Sequence, residues 1–309
     1  MSEGHAPSII LNPAVRVIVC GDDELLVLHG LRSQFRRTIK DSGRSGLLGP
    51  VVRALRSPQT PQSLTQALGD GVDLKDLDNL VRYLLDEGVA VSEQEVPSRS
   101  YAKLVLRANG TPPRPIAIVG EGRLYERVLE EFDRVPGVDA SAVSQDDARG
   151  AMEAGKLVIA LADTLAPSLF HELDQASLTL GAPWMSAFMD GSEGFLGPLY
   201  VPGDSCNYND FAIQVEAGLA LAPGDYPLYE EDVAKSPEPR YTLPPHVSAL
   251  AALVAGAAIT FSATGKSHLL GRCVRYDFER LRVDYEEVLR IPRTPTRMVT
   301  TNGYRHVYM

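Results

Sequence analysis

The chain has 309 residues, room for two domains, and its 44% hydrophobic and 23% charged residues are those of an ordinary globular protein. A formal net charge of -10 has the wrong sign for a general binder of nucleic acid or anionic membrane, since both require a basic surface. Cys20, Cys206 and Cys273 are too few and too scattered for a disulfide framework and suit a reducing cytoplasm; residues 1–13 carry no basic-then-apolar signal pattern.

In chain order, residues 15–20 form a β-type run, Gly21-Asp22-Asp23 a turn, and residues 24–29 a second strand, which together predict a hairpin. Residues 34–39 add a candidate third strand. Leu47, Leu48, Val51, Val52 and Leu55 then recur at helical spacing, and Thr60-Pro61 starts a second helix. A third helix begins near Asp73, sets Leu74, Leu77, Leu80, Val81, Leu84 and Leu85 on one face, and ends at Gly88; residues 89–91 return as a wing strand. Three helices and a hairpin predict a winged-helix domain over residues 1–95. Its third helix carries Asp73, Asp76, Asp78, Asp86 and Glu87, whereas a major-groove helix carries cations, so its charge counts against DNA binding.

Residues 96–114 read as a linker with a short helix at 101–107 inside it, and residues 115–309 as an α/β domain. That domain opens with the apolar run Ile116-Ala117-Ile118-Val119. A helix to about Arg134, a strand at 156–161, a helix at 165–180 and a strand at 183–189 follow, an alternation that predicts a parallel, doubly wound sheet. Residues 226–241 read as a loop. The apolar stretch 247–263 is interrupted by Ser248, Gly256, Thr260 and Ser262 and reads as a core helix rather than a bilayer span. Segments 272–278 and 282–291 alternate like antiparallel strands.

Gly120-x-Gly122 after the first strand is half of a dinucleotide fingerprint; Tyr125 stands near where a third small residue belongs, and Glu121 repels phosphate. Asp163 stands at the carboxyl end of a parallel strand, where a magnesium–nucleotide site is built. Without the arginines and lysine of a triphosphate site, it reads as the cap of the helix that starts at 164–167, with nucleotide binding as the alternative. Cys206 lacks a neighbouring base in sequence and reads as structural rather than nucleophilic.

Residues 118–124 (IVGEGRL), 159–164 (IALADT), Pro183-Trp184 and 195–203 (FLGPLYVPG) together resemble the ubiquitin-activating-enzyme-like (ThiF-like) partner proteins of thiazole/oxazole-modified microcin biosynthesis. The first ~95 residues resemble the RiPP recognition element, the peptide-binding winged helix of such proteins. Where that family writes G-P-x-x-x-P-G-x-x-x-C-x-x-C, residues 197–209 read GPLYVPGDSCNYN, with Cys206 alone remaining; residues 291–297 stand at its second cysteine pair and contain no cysteine. Four ligands are needed to hold a zinc ion, so zinc is expected to be lost and packing to replace it.

The resemblance implies a non-catalytic subunit that captures the leader of a ribosomal precursor peptide. It would present the core to a YcaO-type cyclodehydratase, which carries ATP and magnesium, with a flavin-dependent dehydrogenase as a further partner and a homodimer within the larger assembly. Leader binding by strand addition is expected at Gln34, Phe35, Arg36, Arg37 and Ile39, against Leu77, Leu80, Val81 and Leu84. Gly120, Gly122 and Asp163 then form a degenerate nucleotide site. This chain is expected to hold no cofactor of its own. An ATP-dependent adenylating enzyme is the alternative reading and a winged-helix regulator the third.

Overall fold

The computed structural model describes residues 8–30, 36–69, 72–93, 113–218, 228–229, 231–233 and 242–291. Gln34, Phe35, the helix read at 101–107, most of the loop read at 226–241 and residues 292–297 lie outside them. The chain is mixed α/β and divides into two compact units, residues 1–110 and 111–309.

Among its described residues the first unit has five strands and three helices: β1 (Ile9–Leu11), β2 (Arg16–Gly21), β3 (Glu24–Leu28), β4 (Arg36–Lys40), α1 (Leu48–Ala54), α2 (Pro61–Leu68), α3 (Leu74–Asp86) and β5 (Ala90–Ser92). Strands β2, β3 and β4 form an antiparallel sheet in that order, with Leu25 opposite Ile39 and Val27 opposite Arg37. Its alternate residues Leu25, Val27 and Ile39 bury in one core with Val51 and Val52 of α1, Leu55 at its C-terminal end, and Leu77 and Leu84 of α3. Thr60 and Ser63 make a reciprocal capping box ahead of α2, with Pro61 at its first position.

The strand expected at 89–91 is present but does not join the hairpin. It pairs antiparallel with β1, an element absent from the sequence reading, and Asn12 fastens the two by donating from Nδ2 to the Gly88 carbonyl at 2.8 Å. Three residues are too few to display a period, so β1 exists because β5 gives its backbone a partner.

The second unit is built around a seven-stranded sheet. In chain order it contains β6 (Ile116–Gly120), α4 (Arg123–Asp133), β7 (Ala140–Ala142), α5 (Gln145–Glu153), β8 (Leu157–Ala162), α6 (Pro167–Leu180), β9 (Trp184–Asp190), β10 (Glu193–Tyr200), α7 (Tyr208–Gly218), α8 (Pro244–Thr264), β11 (Arg272–Asp277) and β12 (Arg282–Glu287). The sheet order is β12-β11-β10-β9-β8-β6-β7. Strands β7, β6, β8 and β9 run parallel, and β10, β11 and β12 extend the sheet antiparallel.

Both faces of the sheet are covered. Helices α4 and α8 pack on the side bearing Ile116, Ile118 and Ile159, and α5, α6 and α7 on the side bearing Ala117, Val119 and Val158. Burial on both faces is why β6 and β8 are unbroken apolar runs. Helix α8 is long and apolar enough by composition to cross a membrane, but Val247, Leu250, Ala251, Val254, Ala258 and Phe261 are buried in this core. The parallel strand order reverses between β6 and β8, so the chain leaves a crevice at their carboxyl ends.

Candidate functional site

In the first unit, β4 pairs with β3 along one edge, and among the described residues nothing pairs with the other. Beside it lies an open groove of about 420 Å³, floored by Ile39, Leu47 and Leu48 and walled by Asp76, Leu80 and Tyr83 of α3. The loop at its rim is preorganised: Asp41 accepts from the Gly43 and Ser45 backbone N–H groups at 2.8 and 3.0 Å, and Asp23 accepts from Gly46 N–H at 2.6 Å. Hydrogen bonds, first that from the Ser45 hydroxyl, hold the Asp41 carboxyl below its ordinary pKa. Arg37 pairs with Glu87 at the end of α3, which ties the strand to the helix and raises the guanidinium pKa.

Of the residues expected to contact peptide, Arg36 and Arg37 stand on β4, and Ile39 and Leu80 line the groove. Leu77 and Leu84 do not: both are buried in the core of the unit, 3% and 0% exposed, and Val81 packs against the same core. The stripe on α3 also has to close the domain, so these residues divide between core and groove. Asp76, Leu80 and Tyr83 follow an i, i+4, i+7 spacing, the signal by which the groove-facing side could have been found. Tyr83, 41% exposed, also lines the groove and is not among the residues singled out from sequence.

The second unit carries a cleft of about 630 Å³ at the strand reversal, lined by Gly120, Glu121, Gly122, Ser144, Asp163 and Leu165 among others. The three residues assigned there from sequence are therefore neighbours, but in an arrangement hostile to phosphate. Asp163 accepts hydrogen bonds from the backbone N–H groups of Arg123 at 2.9 Å and Leu124 at 2.7 Å, the first donors of α4. These are the groups that would cradle a phosphate, and a carboxylate of the chain already holds them. Arg123 Nε lies 3.5 Å from the same carboxylate.

Asp163 thus caps α4 rather than the helix beginning at Pro167, which has Ala166 in its N-cap position and no side-chain cap. The two glycines make this contact possible. A Cβ on Gly122, at φ +90°, would stand 2.8 Å from the Asp163 carboxylate, and one on Gly120, at φ +141°, 2.1 Å from the Leu161 carbonyl oxygen.

Cys206 is buried, and burial, with the nearby Asp210 and Asp174 carboxylates, raises its thiol pKa, an environment that disfavours the thiolate. Buried Cys273 on β11 is raised for the same first reason, and a charge on Cys206 would raise it further; the two thiols belong to one neighbourhood that their separation in sequence hid. Among the described residues no group of three or more His, Cys, Asp or Glu side chains is placed to hold a metal ion.

Hydrogen bonds cross-link this region. Arg290 donates from Nε to the Ser205 carbonyl at 3.0 Å and also to the Gly203 carbonyl. Asp210 accepts from Asn207 N–H and Ile291 N–H, each at 3.0 Å, while Asn207 accepts from Asp210 N–H at 2.9 Å. Gln214 accepts from Leu289 N–H at 3.0 Å and donates to its carbonyl at 2.7 Å. The loop at 201–207 is thereby stitched to residues 289–291. Deeper in, Asp174 is 1% exposed and accepts from Tyr208 N–H at 3.0 Å, while its second oxygen makes no hydrogen bond. Burial pushes its carboxyl up to about 6, against a weaker downward pull from Tyr208 N–H and the Trp184 indole. The Trp184 N–H nonetheless lies outside hydrogen-bond geometry.

No protein-family model matches the chain, and no curated protein matches it in sequence. Solved structures do match in fold. A heterocyclase in complex with substrate and cofactor superposes with a TM-score of 0.64 at 16% identity, over 94% of this chain and 40% of that one. The heterocyclase TruD gives 0.63 at 17% identity, over 94% and 43%. E. coli MccB with MccA-N7isoASN gives 0.53 at 13% identity, over 94% and 100%. The chain spans about two fifths of each heterocyclase and the whole length of MccB. At such identities the likeness is one of fold.

Proposed function

We propose that this chain is the non-catalytic, peptide-capturing subunit of a ribosomal-peptide azole or azoline synthetase. In this reading the first unit is a winged-helix RiPP recognition element and the second a Rossmann-like, adenylating-enzyme-type domain. The observation that carries it is the groove beside the unpaired edge of β4. A leader peptide adding as a strand would make backbone hydrogen bonds to β4 and seat an apolar side chain between Ile39, Leu80 and Tyr83.

The fold likeness supports the theme, because it joins this chain to heterocyclases and to MccB, a microcin C7 biosynthetic enzyme solved with the peptide MccA. The cleft supports the non-catalytic assignment, since Asp163 already occupies the helix donors that an adenylating site offers to phosphate. Cyclodehydration would then belong to a separate YcaO-type subunit that carries ATP and magnesium, and oxidation to a flavin-dependent dehydrogenase, all in the cytoplasm.

Calorimetry of the full chain against the leader encoded beside its gene tests the reading. Micromolar or tighter binding that Leu80→Asp weakens at least tenfold, with no ATP–pyrophosphate exchange by the chain alone, is the expected result. Exchange activity without leader binding would replace it with the adenylating enzyme.

A further inference from the structure

The edge of β4 has two sides, and its charges divide between them. Pairing within the β2-β3-β4 sheet sets Arg16, Leu28 and Arg36 in one row across the outer face, Ile18, Leu26 and Thr38 in the next, and Glu24 and Lys40 in the third. The first row holds two arginines and no carboxylate, and among the described residues neither arginine pairs with one. The second row is apolar up to Thr38. The third is balanced, since Lys40 Nζ lies 3.1 Å from Glu24. On the inner side the sign is reversed: Asp41 and Asp76 line the groove, and Arg37, beside Ile39 on that side, is already paired with Glu87. The adjacent arginines of β4 are therefore not equivalent: Arg37 ties the strand to the end of α3, and Arg36 offers an uncompensated charge.

A peptide strand that continues the antiparallel order of this sheet alternates its side chains between the two sides. The side chain opposite Ile39 enters the groove toward Leu80 and Tyr83. The next, opposite Thr38, prolongs the row of Ile18 and Leu26. The third beyond the groove side chain stands opposite Arg36 on the outer face. A carboxylate there pairs with Arg36 across the strands, whereas a cation there would be the third in its row, and like charges directly opposite destabilise a sheet.

We propose that Arg36 is a specificity residue, selecting leader peptides that carry Asp or Glu three residues after the apolar side chain seated in the groove. This rests on the leader-capture reading above and names the class of peptide captured: apolar-x-x-acid. An acid in the groove position itself is rejected by Asp76, so the peptide's charge is read by its position on the strand and not by its total.

Calorimetry of the full chain with the leader encoded beside its gene, and with that leader carrying Lys in place of the acid, tests this. Arg36→Glu is expected to weaken the natural leader about tenfold, and the Lys leader to be weakened about as much on the wild type. The Lys leader on Arg36→Glu restores the pair in reverse and is expected to recover the affinity. Arg149→Glu makes the same change in net charge on a helix of the second unit and is expected to leave binding unchanged; circular dichroism checks that each variant folds. A bound leader without an acid at that spacing overturns the proposal and leaves leader capture standing. So does an affinity indifferent to Arg36→Glu, equal loss in Arg149→Glu, or a swapped pair no better than either single change. A wild type that binds no leader overturns both.

Discussion

Asp174 places a pH-dependent load on the second unit, and its removal is the most quantitative test of the structure. The carboxyl titrates at about 6 in the folded chain against 3.8 as its ordinary value, chiefly because it is buried. The folded state therefore holds a proton across that interval which the unfolded state has released. Stability falls as pH rises from about 4 to about 6 and is level beyond it. At ~1.4 kcal/mol per pKa unit the loss is on the order of 3 kcal/mol. Asp41 and Asp277, whose pKa values are lowered, act the other way and only as pH falls below their ordinary range. Trp184, the single tryptophan, lies beside Asp174 and is fully buried, so its fluorescence reports the unfolding of this unit in urea. Asp174→Asn should abolish the slope between pH 4 and 6.5 and be more stable than the wild type at pH 7. A wild-type stability that is level over that range, or a variant with an undiminished slope, would refute the assignment of the load to this residue.

Asp163→Ala is expected to lose ~1 kcal/mol with its cap and to gain weak phosphate binding at the freed N–H groups of α4, seen as protection of Trp184 unfolding by added phosphate; no gain would mean the cradle is not merely occupied. Leu80→Asp should cut leader affinity in a chain that still folds, while Leu77→Ala should cost ~2–5 kcal/mol of first-unit stability; Leu80 is half-buried against the same core, so both variants are read by circular dichroism on the full chain. Arg290→Ala, which leaves two carbonyls without their charged donor, is expected to lower second-unit stability by ~1–3 kcal/mol, and chelators should leave the wild type unchanged. Equal melting curves for Arg290→Ala and wild type would remove the hydrogen-bonded stitch as a substitute for a metal cross-link.

The chain's own pattern was enough for the alternation of β6, α4, β8, α6 and β9, because strands buried on both faces must be apolar throughout and their covering helices amphipathic. It also marked α1, α2 and α3 by spacing and by the Thr60-Pro61 start. It did not mark β1 or β7, three residues each, whose backbone groups are satisfied by strands further along the chain, nor β10, which follows β9 in a hairpin but whose Gly194, Gly197 and Pro198 break any clear strand pattern. The glycines at 120 and 122 and Asp163 were legible as one neighbourhood, but which helix the carboxylate caps was not: Arg123 and Leu124 are about forty residues away and reach it only through the crossover.

In the groove, Ile39 and Leu80 were readable as apolar positions on a strand and a helix. The division of α3 into a core stripe with Leu77 and Leu84 and a groove stripe with Leu80 and Tyr83 required the packed sheet beneath it. Local sequence by itself determined most of the longer helices and the doubly buried strands, and that residues 197–209 and 291–297 hold one cysteine between them, since period, capping residues and cysteine count are local properties. Tertiary structure alone decided how the loop at 201–207 is held, because Arg290, Asp210 and Ser205 become neighbours only when the sheet closes, and only burial gives Asp174 its raised pKa.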